Sequence, residues 1–325
     1  MSQIAVTNLR KVFTTVLRRS ERGFFANLLR PEKKEIVAVD DVSFSIERGE
    51  RVAFIGPNGA GKSTTIKMLA GILQPTSGSI TVCGLSPGKD RRALAAKVGT
   101  LFGQRSQLFP NLPLMDGFEL FGALYGLTTA TVKRRRKELM DRFDLHDFAH
   151  QPVRKLSLGQ RMRAEVAVSL LHKPDVLFLD EPTIGLDIVA KRALRETLLA
   201  YNADEGVTIL LTSHDPSDVE VLCPRTMVIN HGRLIIDTPT DDLRAEYFTT
   251  KHVAFALPDG ATFAPLPGFK LTSRDGNTVT GIVDTAKHDL HAVLKELLAR
   301  YAVTDLDVAD PSMEEVIEAV YARAK

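Results

Sequence analysis

The chain has 325 residues, a formal net charge of +2, 44% hydrophobic and 25% charged residues. This is the make-up of an ordinary globular protein with room for one large domain and a smaller one. So small a net charge does not by itself imply nucleic acid, and no run approaches the ~18–20 consecutive apolar residues of a membrane-spanning helix. The first residues lack the basic-then-apolar pattern of a secretory signal. The two cysteines, Cys83 and Cys223, fit a reducing cytosol and form no metal or redox motif. Cys83 lies in a strand-like run and reads as a buried small hydrophobe.

In chain order, residues 4–9 alternate apolar and polar and predict an edge strand, with Phe13 just beyond its end. Residues 14–35 look inserted. They mix basic residues with Phe24, Phe25, Leu28 and Leu29 and close at Pro31, as a short amphipathic helix or a mobile loop would. Residues 36–46 resume the strand pattern with a turn at Asp40-Asp41, and residues 47–50 turn tightly into a short buried strand at 51–55. Next comes Gly56-Pro57-Asn58-Gly59-Ala60-Gly61-Lys62-Ser63-Thr64, and a helix is predicted over 65–72. Strand, glycine-rich loop with Gly-x-x-x-x-Gly-Lys-Ser, then helix is the P-loop arrangement. Glycines let successive backbone N–H groups converge on a polyphosphate, and the helix start adds partial positive charge. Lys62 would reach the β- and γ-phosphates and Ser63 would hold Mg²⁺. The bland alternative is a glycine turn before a helix, which does not call for the lysine and serine.

Strands follow at 79–83 and 98–102. Residues 105–160 then change character, with helices predicted over 115–125 and 128–143 as a helical insert. The basic run 133–137 in it is either a solvated helix face or a contact for anionic lipid head groups. A loop passes into a helix over 156–171. Residues 176–179, Val-Leu-Phe-Leu, form the continuous apolar run of a central parallel strand. A helix over 189–201, a second central strand over 207–211 and a hairpin about His231-Gly232 complete an α/β domain with a mostly parallel sheet. From residue 249 the texture becomes that of a small α+β domain, with strands at 251–257, 269–273 and 279–283 and helices at 286–301 and 312–324. It holds no recognisable reactive constellation.

In an open parallel sheet, ligands bind at the carboxyl ends of the strands. Asp180-Glu181 ends the strand 176–179. Asp180 suits Mg²⁺, directly or through water, and Glu181 suits a general base that polarises the attacking water; an acidic helix-capping pair is the alternative. His214, in Thr212-Ser213-His214-Asp215, is delivered to the same edge by the next strand, where it could contact a γ-phosphate and orient the water; a lone histidine is otherwise structural. Gln104, after strand 98–102, could reach Mg²⁺ or water as its loop moves. Ser157 is a good helix N-cap, and that free helix start is also an anion site.

These parts together resemble the ATP-binding subunit of ABC transporters over roughly residues 1–240. The elements are Walker A at 56–64, the Q-loop Gln104, the family signature at Ser157-Leu158-Gly159-Gln160, Walker B at 176–180 followed by Glu181, the D-loop Gly185-Leu186-Asp187 and the switch histidine His214. The resemblance implies a P-loop ABC cassette over 1–248, with an antiparallel edge subdomain beside the parallel sheet. It implies a head-to-tail dimer of nucleotide-binding subunits, homo- or heterodimeric, with two ATP molecules each sandwiched between one subunit's Walker A and the other's signature. Ser157, Gly159 and Gln160 would bind the partner's nucleotide, with Asp187 beside it. ATP binding would close the dimer and hydrolysis reopen it, driving separate membrane (permease) subunits through a groove beside Gln104. The chain would sit peripherally on the cytoplasmic face of the membrane, with no nucleic acid partner.

Three features depart from the family pattern. Leu158 stands where the signature usually has a glycine, Gly103 is an extra residue before Gln104, and Phe13 is displaced by the 14–35 insertion from the usual place of the adenine-stacking aromatic. Phe13 is therefore either that aromatic or a strand-end core residue. The insertion, the 103–108 stretch and the ending Asp310-Pro311-Ser312-Met313-Glu314-Glu315-Val316 most resemble ABC-2 type exporters of the multidrug and viologen branch. A soluble ABC ATPase acting on ribosomes or nucleic acid is the alternative, though such chains usually carry two cassettes or a long coiled coil. A non-catalytic ATP binder is disfavoured by the presence of Lys62, Glu181 and His214.

Overall fold

The structure, a computed structural model, describes residues 2–17, 32–102, 106–213, 215–247, 250–258, 260–264, 266–310 and 315. It divides into two compact units, Met1–Thr238 and Pro239–Lys325; the sequence texture changes slightly later, at 248/249.

The first unit holds two sheets. A three-stranded antiparallel sheet has the order β2-β1-β4, from β1 (Ser2–Leu17), β2 (Glu32–Glu47) and β4 (Ser77–Val82). A six-stranded sheet has the order β5-β6-β7-β3-β8-β9, from β3 (Arg51–Ile55), β5 (Val98–Phe102), β6 (Val176–Asp180), β7 (Thr208–Thr212), β8 (Arg225–Asn230) and β9 (Arg233–Pro239). Strands β5, β6, β7, β3 and β8 run parallel. Their near-continuous apolar sequences follow from this position, since both faces are covered: every residue of β6 and of β7 is buried. The two sheets share a core in which Ile4, Val6, Leu9, Phe44 and Ile46 meet Val52, Phe54, Ile66 and Phe178.

The antiparallel sheet corrects two expectations. Residues 4–9 are not an edge: Ile4 pairs with Ile46 on one side and Val82 on the other. Asp40-Asp41 is not a turn but lies inside β2, opposite an irregularity in β1. Asn8 (φ 47°) and Asp41 (φ 58°) both adopt the left-handed conformation, and Asn8 Nδ2 donates to Asp41 Oδ1 at 2.7 Å. The acidic pair reads as a turn because such residues tolerate this conformation; here they absorb a register shift in a long ladder. The ladder includes both ends of the supposed insertion, from Thr14 opposite Glu35 to Leu17 opposite Glu32. The rest of that stretch lies outside the described residues.

Helix α1 (Lys62–Leu69) begins earlier than the apolar pattern suggests, directly on Gly61. A short helix, α2 (Arg91–Ala95), precedes β5. The helical insert comprises α3 (Leu114–Leu124) and α4 (Thr129–Phe143), with α5 (Leu158–Ser169) leading back towards β6. Thr128 caps α4 by accepting from Thr131 N at 3.2 Å. Helix α6 (Ile188–Glu205) follows the turn after β6, and α7 (Pro216–Leu222) follows β7. The last was not expected, although its start is written locally: Asp215 caps it and proline stands at its first position.

The second unit begins with α8 (Thr240–Tyr247) and is built on an antiparallel sheet of order β11-β12-β10-β13, from β10 (Thr250–Ala256), β11 (Phe269–Asp275), β12 (Thr278–Asp284) and β13 (Asp305–Ala309). Helix α9 (Leu290–Arg300) contributes Val293 and Leu297 to a core with Phe255 and Phe269. The helix expected over 312–324 lies outside the described residues, apart from Glu315. Among the described residues no helix is long and apolar enough to cross a membrane.

Candidate nucleotide site

Strand β3 carries the chain into the loop 56–61 under tight steric control. A Cβ on Gly56 would overlap the carbonyl oxygen of Ile229 in β8, and one on Gly61 would overlap that of Ala38 in β2. Gly59 and Gly61 also have φ of 81° and 109°, the region open mainly to glycine. Gly61 is the N-cap of α1 and offers no side-chain cap hydrogen bond, so the helix start keeps its N–H groups for an anion. Lys62 is buried, and its Nζ donates to Gly56 O at 2.5 Å and Pro57 O at 3.2 Å. Burial pushes the ammonium pKa down, while the carboxylates of Glu181 and Asp180 pull it up.

The β6–β7 register places Asp180 opposite Thr212. Asp180 Oδ1 accepts from Thr212 Oγ1 at 2.5 Å and from Ser63 Oγ at 3.3 Å. The serine of the loop and the aspartate at the end of β6, 117 residues apart in sequence, are thus in contact. Glu181 leaves the strand with φ 56°, and its N–H donates to Thr212 O at 3.0 Å. It lines one cavity with Ala38 and residues Asn58 to Thr64. A left-handed glutamate costs of order 1–3 kcal/mol and persists only where its surroundings over-determine it.

One cavity therefore brings together the backbone of the glycine loop, an ammonium, the Ser63 hydroxyl and the Glu181 residue, with the buried Asp180 carboxylate behind Ser63. The hydroxyl and carboxylate oxygens of Ser63 and Asp180 are hard donors that suit Mg²⁺. Among the described residues no cluster of three or more His, Cys, Asp or Glu could hold a metal alone.

The signature segment lies elsewhere. Ser157 Oγ accepts from Gln160 N at 3.2 Å and Gln160 Oε1 accepts from Ser157 N at 2.9 Å, a reciprocal capping box on α5. Gly159 faces α6, where a Cβ would lie 3.2 Å from Ala190 Cβ. Asp187 Oδ1 caps α6 by accepting from Ala190 N at 2.8 Å. Leu158 lines a separate cavity with Arg161, Glu165, Ile184 and Gly185. Among the described residues, the cavity lined by the P-loop includes none of Ser157, Leu158, Gly159 and Gln160. Phe13 does not line the P-loop cavity either; its exposed ring has Lys11 Nζ 5.1 Å from its centroid.

Gln104 and His214 lie outside the described residues. The strands leading to them end at the right edge: Phe102, last in β5, pairs with Asp180, as does Thr212, last in β7. Thr212 itself was missed as part of the site, although a hydroxyl residue ending an apolar run beside His214 is a readable signal. Cys83 is only half-buried and left-handed (φ 52°). Its thiol, pushed up to about 11 mainly by burial, accepts from Gln3 Nε2 at 3.2 Å.

The comparisons with known proteins agree with this geometry. A family model described as ABC transporter matches residues 39–184. The chain is 37% identical over 204 residues to the ABC transporter ATP-binding protein NatA of Bacillus subtilis (strain 168), covering 63% of this chain and 82% of that protein. It is 36% identical over 285 residues to the daunorubicin resistance ATP-binding protein DrrA3 of Streptomyces coeruleorubidus, covering 86% of this chain and 89% of that one. Among solved structures, cbiO1 from Clostridium perfringens, part of the ABC transporter complex cbiONQ, superimposes with a TM-score of 0.62 at 26% identity, covering 75% of this chain and 91% of that chain.

Proposed function

The chain belongs to the family of ABC transporter ATP-binding proteins, and from that membership we propose how its residues divide the work. It is the ATP-hydrolysing subunit of a transporter, converting ATP and water to ADP and phosphate. The P-loop N–H groups and Lys62 hold the β- and γ-phosphates. Ser63 and Asp180, with Gln104, would hold Mg²⁺, which when bound would supply charge neutralisation of the phosphates. Glu181 accepts the proton of the attacking water, and His214 orients that water against the γ-phosphate. The observation that carries this reading is the contact of Asp180 with Ser63, which lines one cavity with Lys62 and Glu181.

The separation of signature and P-loop within one chain supports a site completed by a second nucleotide-binding subunit. Ser157, Gly159 and Gln160 then meet the partner's nucleotide, with Asp187 at the seam. Coupling runs to membrane subunits, with this chain peripheral on the cytoplasmic face and no nucleic acid involved. The length of the match to a drug-resistance protein, 285 residues, extends beyond the first unit and favours an exporter in which residues 249–325 form a distinct small domain. Phe13 remains the candidate adenine-stacking residue.

The test is purification with the adjacent membrane protein followed by Mg²⁺-dependent ATPase assay. Co-purification with a polytopic membrane protein and hydrolysis that requires Mg²⁺ are expected. Recovery with RNA and without a membrane partner would refute the reading.

A further inference from the structure

Asp218 belongs to none of the motifs above, yet it is fully buried in the first turn of α7. Its Oδ2 accepts from Ser213 Oγ at 2.6 Å and from Thr183 Oγ1, and its Oδ1 accepts from Arg195 Nε of α6 at 2.6 Å. A buried carboxylate in so dry a place survives only with such partners. The charges balance locally, because Asp215 Oδ2 pairs with Lys191 Nζ at 2.5 Å and Arg195 Nη2 at 3.3 Å.

What these bonds close is a ring. Glu181 N–H donates to Thr212 O. Thr212 is followed by Ser213, whose hydroxyl donates to Asp218. Asp218 also accepts from Thr183, and Thr183 leads back through Pro182 to Glu181. The proline fixes its own φ and leaves little slack on that side. Glu181, left-handed at φ 56°, is therefore gripped from both ends. Glu181, Thr183, Ser213, Lys191 and Asp215 line a single cavity, and Glu181 also lines the P-loop cavity, so the ring meets the nucleotide site at that residue.

We propose that Asp218 is a positioning residue for ATP hydrolysis, which sets the Glu181 carboxylate by holding the hydroxyls of Thr183 and Ser213 on one oxygen. It touches neither nucleotide nor water itself and acts through Glu181, so the inference rests on the role given to Glu181 above.

The experiment measures kcat, KM for ATP and nucleotide affinity in the full chain for Asp218→Asn, Thr183→Val and Thr183→Ser. Misplacing a general base by a fraction of an ångström to an ångström costs turnover far more than binding. Asp218→Asn is expected to lower kcat ~10-fold or more with KM within about twofold. Thr183→Val should act in the same direction, and Thr183→Ser, which keeps the hydroxyl, should restore turnover. Adding Asp218→Asn to Glu181→Gln should produce little further loss, since the two act as one unit. Should Asp218→Asn fail to fold, the two Thr183 variants decide the matter. Unchanged kcat in folded Asp218→Asn or Thr183→Val overturns the proposal, as does a loss that multiplies with Glu181→Gln or one that merely tracks the fraction of chains binding ATP. Normal turnover in Glu181→Gln alone is a separate result, which removes the role of Glu181 rather than the ring.

Discussion

Leu158 Cδ2 fills the space into which a Cβ on Gly185 would project, 2.8 Å away. The leucine that replaces a signature glycine thus packs on the D-loop turn of its own chain, joining the start of α5 to the segment between Glu181 and α6. Gly185 is doubly constrained, by that contact and by φ of 73°. Gly185→Ala should cost about 1–3 kcal/mol in unfolding free energy. In a Leu158→Gly background the overlap is gone and only the backbone cost remains, so the same substitution should cost less there. Equal losses in the two backgrounds, measured by urea denaturation, would show that the contact has no energetic weight.

Lys62 tests the phosphate site. Its ammonium is already buried and held by two carbonyl oxygens of the loop, in the cavity the loop lines. Lys62→Ala should lower ATP turnover by ~10²-fold or more. Turnover near the unmodified level would sink the assignment of the loop.

Glu181→Gln separates binding from chemistry. The amide keeps the size of the side chain but cannot take a proton from water. ATP affinity should persist, hydrolysis should fall to a small residual rate, and the chain should elute as a dimer in ATP during size-exclusion chromatography. A variant that hydrolyses ATP normally would mean that another group activates the water.

How legible these features were depended on how local they are. Residues 56–64 and the strand run 176–179 announce themselves because one loop and one doubly covered strand hold the whole signal. Asp180 and Ser63 were both legible as Mg²⁺ candidates, but their contact depends on the sheet order, which brings together residues 117 apart in sequence. The Asp218 ring was invisible: its hydroxyl and carboxylate partners are ordinary polar residues, and Thr183 lies 35 positions from Asp218. β13 escaped notice because Asp305-Leu306-Asp307 is exposed or only half-buried and acidic, so its alternation signals no core. The length of β1 and β2 was hidden by the register shift at Asn8 and Asp41, which interrupts the alternation without ending the ladder.

Arg135 tests how the helical insert is fixed. It lies in α4 and is 1% exposed. Its Nη1 donates to both oxygens of Glu138, at 2.8 and 2.7 Å, and its Nη2 donates to Leu170 O and to the Tyr201 hydroxyl, each at 3.0 Å. One guanidinium therefore ties α4 to the end of α5 and to α6. Arg135→Ala should destabilise the fold by about 2–4 kcal/mol, since it leaves polar partners unpaired and opens a void. Arg135→Met retains the packing of the stem and should lose less. Similar stability of Arg135→Ala and the unmodified chain in urea would refute this latch.

His172 gives the fold a pH dependence of predictable sign. Its ring stacks on Tyr125, with centroids 3.8 Å apart, and Nε2 lies 3.2 Å from Val98 O. Burial first, and repulsion from Arg135 after the opposing pull of Val98 O, bring its pKa from 6.5 down to about 4. The folded chain thus keeps this imidazole neutral over a range in which the unfolded chain protonates it. Stability from this residue is complete above the unfolded pKa near 6.5 and is lost as the pH falls from there towards 4, below which both states are charged. The total is on the order of 3 kcal/mol. His172→Phe keeps a ring against Tyr125 and removes the proton site. It should reduce the fall in unfolding free energy, measured by urea denaturation, between pH 7.5 and pH 4.5 by most of that amount relative to the unmodified chain. An unaltered slope would show that His172 takes up its proton equally well in both states.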